Sequence, residues 1–144
     1  MRLLFSVIAA LALAAPVAAF AAEPRTDPAA GYAIDTSGST QRLAAGAKGK
    51  LVFTIEPRGE WHVDPRTPLR IDLSAPAGLK LEKERLGKKD AVTPGKAEAP
   101  RFEAPFTAVT AGTHEARAKL DFFVCSATAC VKQVREVTVP VTVQ

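Results

Sequence analysis

The fold turns on the stretch Ala116-Arg117-Ala118-Lys119-Leu120-Asp121-Phe122-Phe123-Val124-Cys125, followed by a short connection to Cys130 and then Val137-Thr138-Val139-Pro140-Val141-Thr142-Val143. In an extended strand, successive side chains point to opposite faces. Ala116, Ala118, Leu120, Phe122 and Val124 therefore share one face, and Arg117, Lys119 and Asp121 share the other. After the turn, Val137, Val139, Val141 and Val143 alternate with Glu136, Thr138, Pro140 and Thr142. Two long period-two runs joined by a tight connection read as an antiparallel hairpin. Pro140 lacks a backbone donor, which puts the second strand at a sheet edge.

The same period extends upstream. Leu51, Phe53 and Ile55 alternate with Val52, Thr54 and Glu56 up to Pro57, and Leu69, Ile71 and Leu73 alternate with Arg70, Asp72 and Ser74 between Pro68 and Pro76. Leu79 and Leu81 form a weaker strand after the Pro76-Ala77-Gly78 turn. Residues 82–100 are polar and punctuated by Gly87, Pro94 and Gly95. Phe102 to Val109 reads as a strand that Pro105 pushes to a sheet edge or a bulge. Beyond the first 21 residues no segment carries a 3.6-residue apolar stripe, and 11 prolines argue against long helices. The expectation is an all-β, immunoglobulin-like antiparallel β-sandwich over residues 48–144. Residues 22–47 read as a loose N-terminal segment, with at most a short edge strand at Tyr32–Ile34. No internal repeat is present.

Residues 1–21 read as a signal peptide. Arg2 supplies the positive charge, the apolar run from Leu3 to Ala15 is broken by Pro16, and Ala19-Phe20-Ala21 is a small-residue cleavage site. No cysteine stands at that site for lipid attachment, and no basic stop-transfer cluster follows. The expected mature form is periplasmic or secreted and does not span a membrane. The 144 residues suit one domain, and 47% hydrophobic with 24% charged residues marks a globular chain. The net charge of +4 is mild and not clustered among aromatics, which excludes a nucleic-acid binder. Lys80, Lys83, Arg85, Lys88 and Lys89, interleaved with Glu82, Glu84 and Asp90, read as a solvated face.

Cys125 and Cys130 are the chemistry-bearing pair. Export places them in an oxidising compartment where a disulfide persists. A hairpin with a four-residue connection brings its ends within disulfide reach. Closing so short a loop is worth about 2 kcal/mol on the chain-entropy model, near the low end for such bonds. Spacing alone leaves three readings open: a structural staple, a redox-active pair and a metal site. No helix N-terminus acidifies a thiol here, so exchange would begin with a partner thiolate attacking the disulfide. Lys132 and Arg135 would lower a thiol pKa if they turned toward the sulfurs.

The segments Gly59-Glu60-Trp61-His62-Val63-Asp64-Pro65, Pro68-Leu69-Arg70-Ile71 and Pro100-Arg101-Phe102-Glu103-Ala104-Pro105-Phe106, with the strand–Cys–loop–Cys–strand that follows, resemble a known family. It is the N-terminal periplasmic domain of the thiol:disulfide interchange protein DsbD, and the likeness runs from about Lys50 to Gln144. The resemblance implies an immunoglobulin-like fold in which Cys125 and Cys130 are the catalytic redox pair. That pair would take electrons from a membrane partner and reduce periplasmic thiol proteins. It also makes Trp61, His62 and Val63 candidates to shield the pair or dock a partner. The chain departs from the family in its four-residue inter-cysteine loop and in Val131-Lys132-Gln133, where aromatic and proline residues are common. It also lacks the transmembrane and thioredoxin-like parts, so electrons would come from another periplasmic or membrane thiol protein.

The expected function is an exported thiol–disulfide relay. The alternative is a non-catalytic interaction domain with a structural hairpin disulfide. No cofactor and no metal are expected. His62 and His114 would have to join the cysteines in a Cys2His2 zinc set, yet neither is paired at ligand spacing. No His follows Cys130 for haem attachment, and Met1 is the only methionine to offer a soft copper site. No Ser/His/Asp order, paired carboxylates or phosphate loop is present.

Overall fold

A computed structural model describes residues 28–92 and 99–144; the signal segment and the Pro94-Gly95 punctuation lie outside the described residues. Among the described residues nine strands follow in chain order: β1 Tyr32–Asp35, β2 Arg42–Leu43, β3 Lys48–Pro57, β4 Arg70–Ser74, β5 Leu79–Leu81, β6 Arg85–Gly87, β7 Arg101–Ala108, β8 Gly112–Cys125 and β9 Cys130–Val143. One sheet has the order β1-β3-β7-β5 and the other β2-β9-β8-β4-β6. All pairings are antiparallel except β2 with β9, which is parallel. The architecture is the expected immunoglobulin-like sandwich, with β1-β3-β7-β5 in the A-B-E-D positions and β9-β8-β4 in G-F-C.

The period-two faces meet between the sheets. Leu51, Phe53 and Ile55 of β3 and Phe102 and Phe106 of β7 are fully buried, as are Ile71 of β4 and Leu120 and Phe122 of β8. Val141 of β9 joins them. Apolar area removed from water on both inner faces is the main force holding the two sheets together. Arg117 and Lys119 of β8 stand exposed on the outer face.

Three details differ from the sequence reading, and a fourth agrees with it. Residues 28–47 are not loose. β1 pairs with β3, β2 pairs with the end of β9, and Ser39 Oγ accepts from Val52 N (2.8 Å) and donates to Val52 O (3.2 Å). The sandwich thus includes residues ahead of 48, and Val52, assigned to the polar side of its strand, is buried beneath this segment.

Pro105 lies in β7, a central strand rather than an edge. Its carbonyl accepts from Glu82 N (3.1 Å), and a residue's N and O point to the same side of an antiparallel strand. The missing donor therefore falls just past Leu81, where β5 has ended, and costs no ladder bond. In the polar stretch, β6 pairs with β4, and Leu86 is the buried residue among the charges that flank it. Lastly, β9 is flanked by β2 only at Thr142 and Val143, so most of its outer side is the edge that Pro140 implies. No helix of the described residues is long and apolar enough to cross a membrane.

Candidate functional site

β8 and β9 pair without interruption from Gly112 with Val143 to Cys125 with Cys130. The two cysteines are thus the last directly opposed pair before the turn. They are joined by a disulfide, with Cα atoms 4.0 Å apart. Ser126 N donates to Ala129 O (2.8 Å) to close the turn. Cys125 aims its backbone groups away from Cys130: its N donates to His62 O (2.8 Å), and its O accepts from His62 N (2.9 Å). The cysteine pair is consequently of the non-hydrogen-bonded kind, in which facing side chains lie closest. The two sulfur-bearing residues differ in access: Cys125 is 2% exposed, whereas Cys130 is open to solvent with Ala127, Thr128 and Ala129.

The β3–β4 connection supplies the other side of the site. Gly59 takes a φ of +62° at the turn that brings this connection back across the hairpin tip, a conformation glycine adopts at little steric cost. His62 then forms the isolated bridge with Cys125. Trp61 and Val63, on either side of it, turn inward and are each 8% exposed. The Trp61 ring lies against Gly31, where an added Cβ would stand 2.2 Å from Cδ1. Its indole nitrogen is buried with no hydrogen-bond partner among the described residues. Buried in this way, Trp61 closes the end of the core, and His62 is the member of the trio paired with Cys125.

Asp64, 9% exposed, completes the cluster. Its Oδ1 accepts from Arg66 N (2.8 Å) and Arg66 Nε (3.0 Å), and its Oδ2 from Arg66 Nη2 (2.7 Å). The Arg66 side-chain bonds, then its backbone bond, hold the Asp64 carboxyl far below the usual carboxylate range, with His62 adding a smaller pull. One ligand atom each from His62, Asp64 and Cys125 lie within 4.8 Å of one another. Sequence reasoning did not assign Asp64 to the site. The signal was its place two residues after His62 in the same short connection.

Three sequence expectations find different neighbours. Lys132 turns to Asp121 (3.1 Å) rather than toward the sulfurs. Arg135 donates to the Tyr32 hydroxyl (2.6 Å) and lies over its ring, 5.6 Å from the centroid. His114 is at the far end of β8, where its ring packs on Gly78 and Nε2 lies 2.7 Å from Thr110 O. At about 3.4 Å per residue along a strand, roughly 35 Å separate it from Cys125, so it cannot join a Cys2His2 set. The charge run behaves as a solvated, mutually paired face, with Lys83 on Asp90 and Arg85 on Asp72.

No protein-family model matches the chain. No curated protein matches it. Among solved structures it is similar to a conjugative transposon lipoprotein from Bacteroides eggerthii, with 11% identity, a TM-score of 0.41, and coverage of 74% of this chain and 95% of that one. It is similar to a conjugate transposon protein from Bacteroides vulgatus, with 12% identity, a TM-score of 0.45, and coverage of 83% and 89%. A lipoprotein from Bacteroides thetaiotaomicron gives 14% identity, a TM-score of 0.41 and coverage of 88% of each chain. At these scores the likenesses carry no argument. What stands is a two-sheet sandwich whose cysteine pair is bridged at the tip of its longest hairpin.

Proposed function

We propose that the chain is an exported, non-catalytic immunoglobulin-like interaction domain in which the Cys125–Cys130 bridge is a structural staple. The observation that carries this reading is where the bridge sits. It joins residues that already face each other at the end of the β8–β9 ladder, and Cys125 is paired in turn with His62. One bond thereby secures the tip of β9, whose pairing with β2 is confined to its far end at Thr142 and Val143, together with the connection that closes the core. The outer edge of β9, with Val134 47% exposed, is the surface on which an extended partner segment would add. The signal-peptide pattern supports export to the periplasm or beyond.

A second reading is favoured by the unequal access of the two cysteines and by the resemblance to the DsbD N-terminal domain. In it, a partner thiolate attacks the exposed Cys130 sulfur and forms a mixed disulfide, while Cys125 leaves as a thiolate. A second partner thiol then resolves the mixed disulfide, so that the partner is oxidised and the domain holds two thiols. The reduction potential of the folded protein separates the readings. A staple lies below about −300 mV, whereas a relay lies above it and is reduced without unfolding. A relay would also be trapped by Cys125→Ser, which leaves Cys130 to hold the partner in a mixed disulfide. A high potential with such an adduct would overturn the staple.

A further inference from the structure

The donors around Cys125 are held in ways that leave them usable. His62 is fixed by its backbone bonds to Cys125, and no hydrogen bond engages its imidazole among the described residues. Among the described residues, Asp64 Oδ1 accepts two hydrogen bonds and Oδ2 one. A carboxylate offers about four lone-pair positions, so Oδ2 keeps one open. The Arg66 side chain that holds it is 89% exposed and stands on the solvent side. Cys125 is the third member of the cluster, and its sulfur is occupied by Cys130.

We propose that reduction of the Cys125–Cys130 bond opens a site for a Zn2+-class divalent cation, formed by His62, Asp64, Cys125 and Cys130. Two electrons and two protons convert the disulfide to two thiols. Cation binding then releases the two thiol protons and leaves two thiolates as ligands. Two sulfurs, one imidazole nitrogen and one carboxylate oxygen are a donor set for a borderline-soft tetrahedral ion. Mg2+ and Ca2+ prefer oxygen throughout. Zinc bonds of about 2.0–2.3 Å place tetrahedral ligands roughly 3.3–3.8 Å apart. The three donors already lie within 4.8 Å, so side-chain rotation of about 1 Å gathers them. Cys130 is directly opposite Cys125 and follows without a change in register. His114, the other candidate from the sequence, has no part in it. The oxidation state of the bridge would then decide whether this end of the sandwich holds a metal. The site is independent of which reading of the bridge is right, because a chemical reductant can supply the dithiol.

The test uses the full chain reduced with a water-soluble phosphine, which takes up the oxygen of water as it becomes the phosphine oxide. The metal-free dithiol is titrated with Co2+ as an optical probe, and Zn2+ is then added to displace it. One equivalent of Co2+ with thiolate charge-transfer and tetrahedral ligand-field bands is expected, with no binding by the oxidised chain. Asp64→Asn and His62→Gln should each weaken Zn2+ binding roughly tenfold or more, as loss of a ligand requires, and His114→Gln should leave it unchanged. His62→Gln keeps the backbone pairing to Cys125, and circular dichroism of both oxidised variants checks their folding. The proposal is overturned if the reduced chain unfolds, if it gives no tetrahedral Co2+ spectrum, or if both variants bind Zn2+ as tightly as the parent.

Discussion

Each end of the β8–β9 hairpin has a histidine beside it, His114 at one and His62 of the β3–β4 connection at the other, and they do different work. At the far end, His114 lies over Gly78 of the β4–β5 turn and uses Nε2 against Thr110 O, and its ring stays half open to solvent. At the cysteine end, the backbone of His62 is paired with Cys125, and its ring shares a small space with Asp64 and sulfur. The contrast shows that a histidine's chemistry here is decided by which distant segment crosses the strand end. The far end is a finished piece of packing. The cysteine end brings together sulfur, imidazole and carboxylate beneath a buried Trp61.

The sharpest way to break this comparison is to crowd both ends equally. In Gly31→Ala the new Cβ meets the Trp61 ring at 2.2 Å, and that ring is buried and cannot withdraw. A loss of about 2–3 kcal/mol in chemical unfolding is expected, in the range of overpacked cores. Gly78→Ala meets His114 at 2.1 Å, but that ring is half-exposed and can swing outward. Its cost should stay below about 1 kcal/mol. Equal costs would show that the two ends are packed alike.

Removing the bridge comes next in size. The Cys125→Ala/Cys130→Ala pair should lose about 2 kcal/mol and keep the β-rich circular dichroism spectrum, because the paired ladder persists without it. Complete unfolding would mean that the bridge carries the fold. Tyr32→Phe then removes the hydroxyl that accepts from Arg135 Nε and donates to Gln133 Oε1 (3.1 Å), and should cost about 1 kcal/mol. Its edge-on contact with Phe122, at 5.0 Å between centroids, is left in place.

The last expected effect is on acid stability. Asp64 is held low chiefly by the Arg66 side chain, and Asp90 is held low by Lys83 and then Gly87 N. A carboxyl whose folded pKa lies below its unfolded value contributes stability that is fully present above the unfolded value. That contribution is lost as pH falls from about 3.9 through the folded value. Unfolding midpoints should therefore decline below about pH 4, and Asp64→Asn should make that decline shallower. An unchanged acid limb in the variant would show that the Arg66 pair contributes nothing to folding.

Much of the frame was legible in particular residues. The alternation of β3, β4, β8 and the C-terminal half of β9 named their buried faces, because burial on one side of a sheet imposes a period of two. Leu86 could not announce β6, since one apolar residue among charges has no period. Pro105 misled because its effect depends on where the neighbouring β5 stops. The cysteine pair and its hairpin were legible from spacing. Asp64 was not, because its meaning comes from the crossing of the β3–β4 connection over the hairpin tip.

The sequence by itself determined that this chain is a strand-built sandwich and that its two cysteines face each other across a turn. Both follow from local rules of alternation and loop closure. Only the tertiary structure decided that Cys125 is buried and Cys130 open, that His62 and Asp64 join the sulfur, and that His114 lies at the opposite end. Those outcomes depend on the long-range register of β8 with β9 and β4 and on where the connection from β3 crosses, and no local pattern encodes such a crossing.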